Sequence, residues 1–174
     1  MNKLFDVAIS FAMENQDLAE KVYHYLKAEG LSVFFAPAPE CQSTLSGKNQ
    51  REVFYQIFKL ESDYVILLVS KFYVSKRVPM EEAKIAFSKL GGAGKVIPVY
   101  LDKTPLPKEM LNPQEFNYFP SNDAVEIAAH VVNKINKASS VFKENKDPSD
   151  VVNKMNNKNN KAETQIFIQN YNGN

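Results

Sequence analysis

Short apolar runs alternate with segments of helical periodicity along most of the chain. Leu4 to Ser10 is apolar at nearly every position, the pattern of a buried strand. Asn15 is a helix N-cap with Asp17 in the first turn, and Leu18, Val22, Tyr25 and Leu26 then recur at helical spacing until Gly30 ends the helix. Leu31 to Phe35 supplies a second strand, cut off by Ala-Pro-Ala-Pro. The stretch from Ala36 to Lys48 reads as a long loop, and a second helix runs from Asn49 through Val53, Ile57 and Leu60 to Ser62-Asp63. Tyr64 to Val69 is the clearest strand. Ser70 to Val78 reads as a loop, Pro79 opens a third helix that reaches Leu90, and Gly91 to Gly94 breaks it. Lys95 to Leu101 forms a fourth strand, whose internal Pro98 predicts an edge position or an irregularity. A proline-rich connection from Asp102 to Pro113 leads to a short apolar piece, Phe116 to Phe119, and an amphipathic helix over Asp123 to Lys137.

Nearly continuous apolar strands alternating with helices predict an α/β, flavodoxin-like doubly wound fold, a parallel sheet covered by helices on both faces. Such folds bind ligands at the carboxyl ends of their strands. The candidate site loops are therefore Ser10 to Glu14, Ala36 to Lys48, Ser70 to Val78 and Asp102 to Pro107. Residues 1–137 form the predicted domain. Residues 138–174 turn to Lys, Asn, Asp and Ser, too poor in apolar side chains to build a core, and read as a tail or linker. Within that tail, Thr164 to Tyr171 regains strand character, to dock as an added strand or to begin a neighbouring domain.

Composition narrows the function. The chain has 174 residues, and its 21 Lys and Arg against 20 Asp and Glu leave a formal charge of +1, which disfavours a dedicated nucleic-acid binder. One cysteine and two widely separated histidines give metal chemistry a low prior. No apolar run reaches the roughly 20 residues that span a bilayer, and the amino terminus lacks a secretory apolar region. The expected location is the cytoplasm, with no membrane partner.

Familiar nucleotide and hydrolase motifs are missing. No glycine-rich phosphate loop follows a strand, and no Ser-centred nucleophile elbow is present. What remains is the acidic pair Glu81-Glu82 at the start of the third helix. At about 100° per residue, Ala83, Ala86, Phe87 and Leu90 form the inward arc, Glu82 lies about 90° from its centre, and Glu81 lies nearly opposite. Glu82 is thus placed to border a cleft and Glu81 to face water. By spacing alone, both acids are equally explained by the positive end of the helix dipole.

Several ordered pieces carry a resemblance. They are Phe5 to Ala12, an opening strand with a Ser-aromatic ending; Leu45-Ser-Gly-Lys-Asn49, an entry into the second helix; and Ser70-Lys-Phe-Tyr73 followed by Glu82-Ala-Lys-Ile-Ala-Phe87. In this order and spacing they resemble a bacterial TIR (Toll/interleukin-1 receptor-like) domain over roughly positions 4 to 137. The resemblance implies a five-stranded parallel sheet with flanking helices. It also implies an NAD+ glycohydrolase that releases nicotinamide with ADP-ribose or a cyclic isomer, often in antiphage defence and activated by self-assembly. The family's catalytic glutamate falls on Glu82, the acid that the helical geometry also selects. NAD+ enters as substrate, and no cofactor or metal is called for.

The implied chemistry suits a lone carboxylate. Cleaving the N-glycosidic bond develops oxocarbenium character on the ribose, which an ionised Glu beside the sugar stabilises, while nicotinamide departs as a neutral base. Ser10 and Phe11 fall where the family lines its nucleotide pocket; Phe11 either stacks on a ring of the substrate or caps the core. Lys48 either meets a pyrophosphate or is a solvated loop lysine. Tyr73 supports the Glu82 loop or packs beneath it, and Cys41 reads as an incidental thiol. Two positions depart from the family: Val78 stands where a tryptophan is common, and Ala36 where an acid is common.

The competing reading is a non-enzymatic interaction module that signals by homotypic clustering through the loop at 36–48, called BB in the family. Ile85, nearly opposite the buried arc, is its candidate exposed contact, and a sensor domain or protein is an expected partner. A phospho-acceptor receiver is disfavoured, because Ser10 and Ser70 occupy strand ends where such a site needs acids.

Overall fold

The computed structural model describes residues 3–111 and 117–144. They fall into two units divided after Lys134. The first holds a five-stranded sheet: β1 (Phe5–Ser10), β2 (Val33–Phe34), β3 (Ser62–Val69), β4 (Val96–Tyr100) and β5 (Phe119–Pro120). All neighbours are parallel, in the order β2-β1-β3-β4-β5.

A short 3-10 turn at Met13–Asn15 leads into α1 (Gln16–Ala28). Then come α2 (Pro39–Leu45), α3 (Gln50–Tyr55), α4 (Lys71–Ser75), α5 (Arg77–Ala86) and α6 (Ala124–Glu144). Both α3 and α5 widen into π-helical turns, over Gln56–Glu61 and Phe87–Gly91. From β1 the chain steps outward to β2, then back across β1 to β3, β4 and β5. Right-handed crossovers consequently place α1 on one face and α3 and α5 on the other, the two-sided cover that the strand pattern predicts.

The centre of the sheet is dry: Val7, Ala8 and Ile9 of β1 and Val65 to Val69 of β3 are all buried. Each such Val, Leu or Ile contributes about 1.5–3 kcal/mol relative to an exposed position. Asp6 interrupts the apolar pattern of β1 for a reason: its carboxylate accepts from the backbone N–H of Ser32 at 2.7 Å and from the Ser32 hydroxyl at 2.8 Å. That clamp sets the register of β2, of which only Val33 and Phe34 pair, a shorter strand than Leu31 to Phe35.

Pro98 occupies neither an edge nor an irregularity. In β4 the carbonyl of Lys95 and the N–H of Leu101 bond to β3, whereas the carbonyl of Tyr100 turns towards the β5 side, where the N–H of Ser121 donates to it. Pro98, in phase with Tyr100, also faces the β5 side. There β5 pairs only from Val99 onward, so the missing N–H falls ahead of its first partner.

Two expected loops contain helices. Pro39 starts α2 inside the 36–48 segment, and Cys41 buries itself beneath it. The Tyr23 hydroxyl donates to Glu40 at the start of this helix. In the 70–78 segment the Ser70 side chain accepts from the N–H of Tyr73 at 3.2 Å, capping α4, and α5 starts at Arg77, ahead of Pro79. The last helix carries on past Lys137 to Glu144. The strand-like stretch Thr164 to Tyr171 and Phe116, the first residue of the apolar piece Phe116 to Phe119, lie outside the described residues. Among the described residues, no helix is long and apolar enough to cross a membrane.

Ser70 is buried, and besides capping α4 it donates to Asn15 Oδ1 at 2.7 Å. Ser70→Ala is expected to lower unfolding free energy by about 1–2 kcal/mol, the loss of a cap with a further hydrogen bond, measured by urea titration.

Candidate functional site

The chain order reverses between β1 and β3, the switch point beside which doubly wound folds bind their ligands. β1 delivers Ser10 to this point. Ser70, directly after β3, caps α4 and thereby turns Tyr73 back over the sheet, where its ring is wholly buried. The Tyr73 hydroxyl lies 2.7 Å from Ser10 Oγ, and the Ser10 hydroxyl donates to Glu82 Oε2, carried in by α5. When Ser10 donates its one proton to the carboxylate form of Glu82, Tyr73 is the donor to Ser10. Three polar side chains from different elements thus form one directed chain ending on a carboxyl group.

The electrostatics of this chain follow from its burial. Glu82 is only 7% exposed, and its carboxyl is pushed up to about 8 by loss of hydration, partly offset by the Ser10 hydrogen bond. The same burial, with a further contribution from Glu82 once it is ionised, raises the Tyr73 phenol well above its ordinary range and keeps it protonated. The acid therefore rests protonated at neutral pH, in contrast to the ionised group that the sequence argument places beside a sugar.

A cleft of about 410 Å³ borders this acid, lined by Asn49, Gln50, Arg51, Phe54, Arg77, Val78, Glu81, Glu82 and Ile85. That volume is within the range of small-molecule sites, about 300–1,000 Å³. Glu81 does not simply face water: its carboxylate receives Arg51 at 3.0 Å and Arg77 at 4.0 Å, and its side chain is 33% exposed. Ile85, expected as an exposed contact, lines the same cleft and is half-buried. Both departures have one cause, which is that α3 packs beside α5 and covers the arc that an isolated helical wheel leaves to solvent.

The sequence candidates separate into groups. Glu82 and Val78 line the cleft, with Ser10 and Tyr73 joined to Glu82 behind it. Lys48 is exposed and outside that lining, after Gly47 with its left-handed φ of +74°. Phe11 stacks on Phe35 with ring centroids 5.4 Å apart, and Phe35 stacks on Tyr23 at 5.0 Å; this is the packing role, away from the cleft lining. The Cys41 thiol is raised by burial and is no activated nucleophile. Ala36 is half-buried, and its carbonyl accepts from the Gln42 side chain. Sequence reasoning missed Arg51 and Arg77. The one-turn spacing of Arg77 and Glu81 is a local signal for Arg77, and Arg51 has none.

A doubly wound parallel sheet with an acid at the switch between its central strands defines a flavodoxin-like domain with a small-molecule cleft. The comparisons with known proteins are specific within that class. A family model described as TIR domain matches residues 7–136. The chain belongs to the TIR-domain family. It is 31% identical over 145 residues to the 3' cyclic ADP-D-ribose synthase AaTIR of Aquimarina amphilecti, a match covering 80% of this chain and 42% of that protein. The chain therefore spans less than half the length of this curated relative. The TIR domain of the Toll-related receptor TRR-2 from Hydra magnipapillata superposes with a TM-score of 0.53 at 15% identity, covering 80% of this chain and 97% of that one, a likeness of fold.

The raised carboxyl sets a pH dependence of stability. Folded Glu82 keeps its proton to about 8, while the unfolded residue releases it near 4.5, so the folded state binds more protons between those values and stability falls as pH rises through that window. Glu82→Gln, which copies the neutral acid, is expected to gain thermal stability over wild type progressively from pH 4.5 to 8. Melting temperatures of the two proteins that run parallel across this range would remove the assignment.

Proposed function

We propose that this domain cleaves the bond between nicotinamide and ribose in NAD+, releasing nicotinamide and either ADP-ribose or a cyclic isomer. The observation that carries the reading is Glu82, a buried acid at the wall of a small-molecule cleft, held by Ser10 at the strand switch point. The relationship to AaTIR supports the substrate class, since a cyclic ADP-ribose is what remains of NAD+ once nicotinamide has left and the sugar has closed on its own molecule.

The resting geometry dictates how the acid works. Facing inward and protonated, Glu82 gives no stabilisation to a cation. A bound NAD+ changes this, because the pyridinium charge near the carboxyl favours the ionised form and opposes the cost of burial. Ionised Glu82, still steadied by the Tyr73–Ser10 chain, then faces the ribose. As the glycosidic bond breaks, its electron pair goes to the ring nitrogen and nicotinamide leaves neutral, while the carboxylate stabilises the positive charge left on the sugar. Water adds to that carbon and loses a proton to give ADP-ribose, or a hydroxyl of the same molecule adds and loses its proton to give the ring. Val78 leaves the cleft wall without the ring that a tryptophan provides, which weakens ground-state binding.

Self-assembly through the 36–48 segment is the activating event in this reading, because it adjoins the cleft at Asn49 and the isolated domain holds its acid inward. The biological setting is conversion of the cytoplasmic NAD+ pool during phage infection, and a phage challenge with Glu82→Ala as control tests it. A sensor domain or a separate sensor protein supplies the trigger in this reading.

Concentrated protein with a crowding agent is expected to release nicotinamide from NAD+, and Glu82→Ala or Glu82→Gln to reduce the rate by about 10²–10³-fold or more with the fold intact. Full activity in either variant overturns the reading. The kcat/KM of wild type is expected to rise with pH through a midpoint near 8, set by the free enzyme, and kcat through a lower one, set by the complex with its bound cation. A flat profile excludes Glu82 as the ionising group.

A further inference from the structure

Arg51 and Arg77 bring two guanidinium groups to the cleft and share a single carboxylate, Glu81. They come from different helices, Arg51 from α3 and Arg77 from α5, so their convergence is a product of tertiary packing. Both remain open to solvent, with side chains 70% and 82% exposed. Ion pairs as exposed as these hold weakly and rearrange at little cost. Glu81 also cannot satisfy two guanidinium forks: Arg51 is within hydrogen-bond distance at 3.0 Å, while Arg77 stands off at 4.0 Å. Glu82 adds no second negative charge while it rests neutral, so the cleft carries an excess of positive charge at its rim.

We propose that Arg51 and Arg77 form an anion subsite that takes the diphosphate of a dinucleotide, with Glu81 holding the two side chains in place until the ligand displaces it. The proposal rests on the reading of NAD+ as substrate and assigns the part of the cleft that grips it. It also replaces Lys48, which lies outside the lining, as the basic contact. Glu82 is buried and the two arginines on the same cleft are exposed, so a dinucleotide with its ribose at the acid has guanidinium groups along its path to solvent. Planar forks bind phosphate oxygens in pairs, which a lysine cannot do. Because the diphosphate persists unchanged from substrate to transition state, these residues act on binding and leave the bond-breaking step alone.

Titration of the full chain with ADP-ribose tests the subsite without requiring turnover, with adenosine as the probe that lacks phosphates. The double variant Arg51→Ala/Arg77→Ala is expected to bind ADP-ribose at least about tenfold more weakly than wild type, with adenosine unaffected. Glu81→Gln, which frees both arginines, is expected to bind ADP-ribose more tightly; an ion pair that merely supported the helices would give no such gain. Equal ADP-ribose affinity in wild type and double variant, or no binding by wild type, overturns the subsite. In turnover assays the double variant is expected to raise the KM for NAD+ with kcat nearly unchanged, and to leave the KM for nicotinamide riboside, which has no diphosphate, where it was. The two failures are distinct: a wild type that binds ADP-ribose through these arginines yet releases no nicotinamide keeps the subsite and loses the hydrolase, whereas turnover with an unaltered KM in the double variant does the reverse.

Discussion

The withdrawal of one carboxyl group from water sets the electrostatics at the centre of this domain. Glu82 is buried at the meeting point of three elements, and the Ser10 hydrogen bond returns only part of the hydration it has lost. A charged group in that place is costly, so the fold tolerates the acid by keeping it neutral. Tyr73 and Ser10 do not neutralise it; they fix its direction, and among the described residues no basic group is paired with it. Such a group responds strongly to a nearby cation, because the low-dielectric surroundings that penalise its charge also amplify an opposing one. A buried acid without a resident counter-ion is poorly suited to structural service and well suited to a cationic substrate.

The cleft sorts its charges by depth. The neutral acid lies inward, and the paired arginines and Glu81 lie toward solvent. A molecule with a cationic ring at one end of its sugar and phosphates at the other meets complementary groups in sequence. The same charges also attract water and salt, so affinity depends on how fully a ligand excludes both.

Much of this was legible from residue patterns, and the limits have physical causes. The apolar runs of β1, β3 and β4 mark a parallel sheet because strands covered on both faces must be apolar at successive positions. Glu82 could be separated from Glu81 by helical phase. The phase argument failed for Glu81 and Ile85 because a wheel treats a helix as having one buried side, and α5 is also flanked by α3. The helices α2 and α4 escaped notice because neither is long enough to show a repeat; each is set by a local feature, Pro39 at the first turn of one and the Ser70 cap of the other. Arg51 and Arg77 are distant in sequence, and no local pattern records that two helices will bring them together.

The Tyr23 hydroxyl on Glu40 couples the first turn of α2 to α1, and Phe35 stacks on the same tyrosine ring. The opposite end of α2 runs into Gly47, whose left-handed backbone adopts φ +74° with open space around its Cα. The segment is therefore moored at its beginning by Tyr23 and turned at its end by Gly47, in a backbone conformation that a residue with a side chain adopts only under strain. A side chain placed there would strain the turn that hands the chain from α2 to Asn49, on the lip of the cleft.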